Sequence, residues 1–411
     1  MNKNLRLTGC VLLACLAASV AFARKPFEAI AITTGPAPIT VNASGSNLND
    51  FVSSLINTNG QFAPLNGRAY TASSTFLGVP NAVTFNTNAT GTAVTYGLTP
   101  IGFNRTFTGT SKQDVDTQIK DFFQKNGADT IAAFLKAIAE KSPLAVTDGN
   151  PNSATAVAAA GTFTGQGFTT ADEIMAGLDG GKARYGGFGI GFNAGTFEAG
   201  DFKGSNYDFS LTGLNLGLGE SVRLITPISF NYLKVEGAQV AGMGINFALP
   251  IRLQTMNKDN PFNWRVTPIG GVSLRGSADL AGGALLWQAG VTNTIDYKAA
   301  PKLVVCMINQ ATFHRSIGIT YGDYHFDPKI DQQILKNGLR VVSPLTPRLI
   351  GDFFAVDTRF LKAAAVKSFE TFGGSLSFRA TPNYNVSLGA NYDTGTRFKA
   401  YSVGLSSAWR W

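Results

Sequence analysis

From Gly186 almost to the C-terminus, bulky apolar residues occupy every second position of the chain. The clearest run places Met243, Ile245 and Phe247 between small or polar neighbours. Side chains on a β-strand point to opposite faces with a period of two, whereas a helix repeats every 3.6 residues. Comparable runs cover 188–195, 223–232, 264–275, 285–291, 313–321 and 384–392. The second half of the chain therefore predicts successive β-strands with one bulky apolar face and one small polar face.

The composition of the small face favours a membrane protein over a soluble one. The solvent face of a soluble sheet usually carries Lys, Glu and Asp, but this face is mostly Gly, Ser, Asn and Thr. The segments are also long enough to cross a bilayer as tilted strands, which takes about nine to eleven residues each. A soluble β-sandwich, the alternative, usually has strands of about five or six residues. The pattern predicts an all-β transmembrane antiparallel β-barrel with its bulky residues in lipid and its small residues around a hydrated lumen.

The N-terminus has the pattern of a secretory signal peptide. Lys3 and Arg6 precede an apolar run over residues 11–23 that ends in the small residues a signal peptidase reads. This run is too short to cross ~30 Å of hydrocarbon as a helix. Residues 1–23 are therefore predicted to be removed on export. A lipoprotein signal ending at Cys15 is the alternative, but apolar sequence continues beyond that cysteine.

Export limits the chemistry that the mature chain can carry. Cys306 is the one cysteine after residue 23, so an internal disulfide is excluded. The net charge of +8 does not indicate nucleic acid, which an exported protein does not meet. Asp323, His325 and Asp327 alternate on one face, a pattern that would suit a metal site or a catalytic pair at the rim. With two histidines in the whole chain and no second cluster to complete a site, a solvated loop is the favoured interpretation. We predict no enzyme activity, no catalytic residues, no metal and no cofactor.

Two regions precede the predicted barrel. Residues 24–110 are rich in Asn, Thr, Gly and Ala and predict an irregular or weakly β region. Residues 111–184 are predicted to be helical, because Val115 and Ile119 begin a stripe at helical spacing that resumes after Gly127. A helical hairpin and a third helix near Thr170 are expected, acting as a plug or a linker. Residues 185–411 form the barrel.

The number of strands depends on one stretch. If residues 324–362 form a long outer loop, the count is ten and the turns on the periplasmic side are short. If residues 340–361 contain a further hairpin, the count is twelve. Both counts are even, as expected for a bacterial outer-membrane barrel.

The last strand carries a more specific sign. Alternate positions on one face hold Tyr401, Val403, Leu405, Ser407, Trp409 and Trp411. This resembles the terminal strand of Gram-negative outer-membrane β-barrel proteins, although Ser407 is a weak match and Trp411 replaces the commoner Phe. The resemblance implies insertion into outer-membrane lipid, recognition of the Trp411 strand by the barrel assembly machinery, and a periplasmic C-terminus.

Charged residues are predicted at several lumen-facing positions. By the parity of their strands, the inward set is Arg223, Arg252, Arg265, Arg275, Arg410 and Asp208, the last being the only clear inward carboxylate. A narrow lumen lined by unpaired arginines would favour anions. Alternatively, these arginines pair with carboxylates of the preceding helices such as Asp114, Asp116, Asp121 and Glu140, and the helical hairpin is a plug.

The leading functional expectation is a passive or gated pore for small polar or anionic solutes in the cell outer membrane. The alternative is an autotransporter-like arrangement, with residues 24–110 outside and a helix threading the pore ahead of the first strand. A surface-exposed structural or adhesin barrel with a closed lumen is a further alternative.

Overall fold

A computed structural model describes residues 25–56, 60–123, 127–166, 187–211, 215–219, 221–257, 259–321, 324–381 and 383–410. The predicted signal peptide, the helix predicted near Thr170 and the terminal Trp411 lie outside the described residues. Among the described residues, no helix is both long enough and apolar enough to cross a membrane.

The first part of the chain folds into a six-stranded antiparallel sheet, where an irregular or weakly β region was expected. Its order is β2-β1-β3-β4-β5-β6. The strands are β1 (Phe27–Thr33), β2 (Thr40–Gly45), β3 (Tyr70–Phe76), β4 (Val79–Thr87), β5 (Ala93–Leu98) and β6 (Phe103–Thr108). The alternation is weak in sequence because the outward face carries Ile30 and Ile32, both exposed, while small residues such as Ala29 and Ala31 face inward.

Within the part of the chain that the structure describes, four helices accompany this sheet and lead to the barrel. They are α1 (Leu48–Ile56), α2 (Lys112–Asp121), α3 (Ala128–Ala139) and α4 (Ala154–Gln166). Ser111 caps α2, since its side chain accepts a hydrogen bond from the Asp114 backbone N–H. Helix α2 packs its Val115 against Val94 and Phe107 of the sheet. The predicted helical hairpin, α2 and α3, thus belongs to the N-terminal domain.

The second half of the chain forms a closed barrel of twelve antiparallel strands, which confirms the predicted fold class. The strands are β7 (Gly187–Ala199), β8 (Phe202–Leu211), β11 (Ile228–Val235), β12 (Ala238–Ala248), β14 (Phe262–Ser277), β15 (Gly282–Ala300), β16 (Leu303–Ser316), β19 (Asp331–Pro344), β20 (Leu349–Phe360), β21 (Ser368–Thr381), β22 (Tyr384–Gly395) and β23 (Phe398–Arg410). Shorter segments are β9 (Asn215–Gly217), β10 (Arg223–Ile225), β13 (Ile251–Gln254), β17 (Ile319–Tyr321) and β18 (Tyr324–Phe326). Closure comes from the pairing of β23 with β7.

The count of twelve shows that the ten-strand alternative is wrong. Strands β19 and β20 form a hairpin within residues 324–362, which the ten-strand count treats as a loop. On β19 the inward face carries the apolar Ile334 and Val342, and the outward face carries Gln333 and Asn337. The usual contrast between the two faces is therefore blurred at this strand, and polarity alone does not reveal it.

The outward face of the barrel is apolar, as the alternation predicts. Leu376, Leu388, Leu405 and Phe192 are opposite one another on four adjacent strands. Their exposed fractions are 50%, 55%, 55% and 48%. Aromatic side chains also pair across strands on this surface, among them Tyr392 with Tyr401 at 4.8 Å between ring centroids. Such a continuous apolar band is typical of a lipid-facing surface.

The N-terminal domain closes one end of the barrel, which we call the capped rim and which includes the turns at 200–201, 236–237 and 396–397. Buried residues of the sheet and α3 share one apolar core with inward-facing residues of this rim. The contributions include Phe27 and Phe134 from the domain and Phe202 and Leu280 from the barrel. The opposite end, the far rim, includes the turns at 301–302 and 345–348.

Prolines interrupt two neighbouring strands near the far rim. Pro227 separates β10 from β11, and Pro250 lies between β12 and β13. Proline has no backbone N–H to donate to the sheet, so each strand continues only after a break. Arg223 and Arg252, two of the predicted lining residues, lie in these interrupted segments.

Candidate functional site in the barrel lumen

Helix α4 lies inside the barrel. It packs along β12, β14, β15, β16 and β19 and is about 20 Å long at 1.5 Å per residue. Its first residue is attached at the capped rim, where the Ala154 N–H donates to the Val146 carbonyl. Ala156 and Ala159 then pack against Ile334 and Phe360 of the wall. The segment before the first barrel strand therefore enters the lumen from the capped rim.

Helix α4 is difficult to recognise in the sequence because the helix is enclosed by protein on all sides. Its residues are mostly Ala, Thr and Gly, and its described side chains are buried or half-buried. A helix at the surface shows an apolar stripe, whereas a helix enclosed by protein has no such asymmetry. Small side chains are also what a narrow lumen can accommodate beside its own lining.

A buried turn fixes the start of α4 to the barrel wall. The Asp148 carboxylate accepts hydrogen bonds from the Thr155 hydroxyl at 2.6 Å and from Gln332 Nε2 of β19 at 3.1 Å. The Asn150 side chain donates to the Ala145 carbonyl at 2.7 Å. Burial raises the pKa of Asp148, although its hydrogen bonds from Thr155, Gly149 and Gln332 oppose the rise. These contacts join the turn before α4, the helix itself and strand β19 of the wall at one point.

One bulky residue of α4 inserts into the wall. The Phe163 ring, 3% exposed, packs with Ile308 of β16 and Val356 of β20. The Lys336 ammonium lies 5.2 Å from the ring centroid, a distance typical of a cation–π contact. Phe163 thus joins this part of α4 to strands β16, β19 and β20.

The predicted lining residues take different positions. Arg223, Arg265 and Arg275 are 5%, 5% and 3% exposed, so all three are buried in the barrel interior. Arg252 is half-buried in β13, and Asp208 is half-buried on β8. The backbone of residue 410 completes β23, but its side chain lies outside the described set.

Arg275 interacts with residues of the barrel wall. Arg275 Nη1 donates to the Asn231 side-chain oxygen, and Arg275 also interacts electrostatically with Asp208. Asp114 of α2, by contrast, accepts from the Thr110 N–H and from Gln118 in its own helix. The helix that occupies the lumen is thus α4, and it carries no carboxylate. Pairing between the arginines and α2 is not what places a helix in the lumen.

Among the described residues, Asp296, Asp352 and Asp393 also lie in the interior, so the expectation that Asp208 is the only clear inward carboxylate is wrong. Asp296 of β15 and Asp352 of β20 are 1% and 4% exposed. Asp352 accepts from Arg340 Nη2 at 2.9 Å and from the Ser375 hydroxyl at 2.7 Å. Asp352 lies in the hairpin that only the twelve-strand count contains, whereas the parity of β15 already places Asp296 on the inward face.

The acidic and histidine cluster near residue 325 does not assemble into a described site. Asp327 accepts from the Ser316 hydroxyl at 2.6 Å and from the Lys329 N–H at 2.9 Å. These bonds shape the loop that leads from β16 to β19. Residue 323 and the side chain of His325 lie outside the described set.

No family model matches the chain, and no curated protein matches it either. Solved structures similar to it include the translocator domain of the autotransporter NalP from Neisseria meningitidis, at 13% identity and a TM-score of 0.40 over 58% of this chain and 93% of that one. The β domain of the Bordetella autotransporter BrkA has 12% identity and a TM-score of 0.41, over 55% and 100%. An outer-membrane channel from Pseudomonas putida F1 has 10% identity and a TM-score of 0.43, over 56% and 96%.

Proposed function

We propose that this protein is an outer-membrane barrel that anchors its six-stranded N-terminal domain at the cell surface. The observation that carries the proposal is α4, which runs through the lumen from the capped rim. The apolar core shared by the domain and the rim supports it, because it fixes the domain on the barrel. A barrel with a helix in its lumen and a domain fixed on its rim is better suited to displaying that domain than to the passive diffusion of solutes.

The orientation follows from the last strand. β23 begins at Phe398, which belongs to the shared apolar core, and ends at Arg410 beside Gly187 at the far rim. The terminal pattern that ends in Trp411 resembles barrels whose C-terminus is periplasmic. The far rim then faces the periplasm, and the domain on the capped rim faces the outside of the cell.

Cysteine labelling of intact cells tests this orientation. The cysteine at 306 is buried, so a cysteine introduced at Asn42, an exposed residue of β2, would be the accessible thiol. We expect a bulky membrane-impermeant maleimide to label Asn42→Cys in intact cells. The matched variant is Lys302→Cys in an exposed turn of the far rim, which should react only after lysis. The reverse pattern would overturn the proposed orientation.

A gated pore for small polar or anionic solutes is the second candidate. It is favoured by the buried arginines of the wall, since Arg265 and Arg275 lie on one strand facing the interior. Their charge would favour anions once the lumen is open. In this case α4 and the domain would act as the gate.

Ion selectivity tests this second candidate. In a channel opened by removing residues 25–180, replacing Arg265 and Arg275 by Ser should shift the permeability ratio toward cations, because two lumen charges are lost. Reversal potentials in a salt gradient measure the ratio. Arg359→Ser is the control, since the Arg359 side chain is 63% exposed. An unchanged ratio in the double variant would exclude these arginines from selectivity.

A further inference from the structure

The pocket that holds Phe163 is lined by residues of the barrel wall. Ile308 comes from β16, Gly338 and Lys336 from β19, and Val356 from β20. A Cβ atom at position 338 would lie 2.8 Å from the Ile308 side chain and 3.4 Å from the Phe163 ring. Glycine at this position therefore lets β19 pack closely against Ile308 beside the Phe163 ring. Within the described residues, α4 supplies the ring that occupies the pocket, and the wall supplies these lining residues.

The polar groups of the pocket suit an uncharged ring. Lys336 is 6% exposed, lies 5.2 Å from the Phe163 ring centroid and interacts electrostatically with Asp393 of β22. Its charge is thus partly balanced by the wall, which reduces its attraction for an anion while the cation–π contact remains. Thr358 lies directly across from Lys336 in the sheet and is 1% exposed. Its hydroxyl has no hydrogen-bond partner within the part of the chain that the structure describes.

We propose that this pocket is a binding site for small, uncharged, single-ring aromatic compounds, and that Phe163 occupies it as an internal ligand. The aliphatic walls and Gly338 set the size to one ring. The Lys336 ammonium selects an aromatic face over a saturated ring of the same size, and Thr358 offers a hydrogen bond to a polar substituent. The inference rests on the barrel and α4, and it does not depend on which rim faces the outside of the cell.

The test uses the full-length protein in detergent micelles and the variant Phe163→Ala. Folded barrels migrate faster than unfolded ones in gels of unheated samples, so the temperature at which mobility changes reports stability. We expect the midpoint to fall by several degrees in the variant, because an apolar cavity replaces the ring. Toluene should restore most of the loss, and cyclohexane of similar size should restore clearly less. Toluene should leave the wild-type midpoint nearly unchanged, since its pocket is filled.

Two comparison variants separate the pocket from general effects of solvent. In Phe163→Ala combined with Lys336→Met, toluene and cyclohexane should act alike, because the cation–π contact is gone. Val157→Ala removes apolar volume elsewhere on α4, and toluene should not restore its midpoint. Failure of toluene to restore Phe163→Ala, or an equal shift in every variant, would overturn the proposal.

A further variant covers the case in which the alanine protein does not assemble. Phe163→Leu keeps most of the apolar volume but loses the aromatic face. Toluene should then raise the midpoint more than cyclohexane does. An equal effect of the two solvents on this variant would also overturn the proposal.

Discussion

Removing residues 25–180 is expected to turn a closed barrel into a conducting channel. The deletion takes away α4, which packs along five strands of the wall, and the domain whose core seals the capped rim. On the neighbouring strands β21, β22, β23, β7 and β8, the remaining lumen is lined by small residues such as Ser377 and Gly191. These residues leave room for water. Planar-bilayer recordings should show large stable conductance steps for the deletion variant and only rare or small ones for the full-length protein.

The deletion is informative only if the barrel itself remains folded. The faster gel migration of the unheated variant provides this control. A folded deletion variant that stays closed would contradict the role of α4 and the domain as the block. If the full-length protein conducts as strongly as the deletion variant, α4 and the domain do not block the lumen, and a permanently open pore would be favoured.

A single charge on the outer face is expected to have the second large effect. Leu388 lies in the apolar band and is 55% exposed, so Leu388→Arg would place a guanidinium among acyl chains. Such a substitution near the bilayer midplane costs about 2–4 kcal/mol of folding free energy. Denaturant unfolding in lipid vesicles measures the loss, and the amount of folded protein in the outer membrane should fall with it.

The neighbouring residue supplies the matched control. Ser387 points into the lumen, where its hydroxyl is 2.7 Å from that of Ser377. Ser387→Arg should cost about 1 kcal/mol, the size of one lost hydrogen bond, because the long side chain can reach the wet interior. Equal destabilisation by the two substitutions would mean that the faces of β22 are wrongly assigned, and with them the membrane-spanning fold.

The barrel was predictable because most of its strands alternate bulky apolar residues with small polar ones, with a period of two. Met243 and Phe247, picked out from the sequence, are 41% and 51% exposed on the outer face. β19 was harder to predict because its inward face is also apolar: Ile334 packs against α4, and Val342 packs with residues near the far rim. A position that contacts a helix inside the lumen needs apolar residues, and this requirement erases the contrast.

The site was less predictable than the fold. The inward positions of Arg265 and Arg275 follow from strand parity, but α4 offers no periodic stripe to read. The Phe163 pocket depends on residues from three strands that lie far apart in sequence. Only the register of β16, β19 and β20 brings Ile308, Gly338 and Val356 to the same level of the wall.

The shared core at the capped rim also sets an order of events during biogenesis. Phe27 and Phe134 of the N-terminal domain both contact Phe76 within the domain, but the apolar core to which they belong is complete only when Phe202 and Leu280 of the capped rim are in place. Before that moment the domain lacks one wall of its interior and stays unfinished. We therefore expect the domain to reach its final packing only after the strands at the capped rim have paired, and an unclosed barrel to leave apolar surface of the domain exposed.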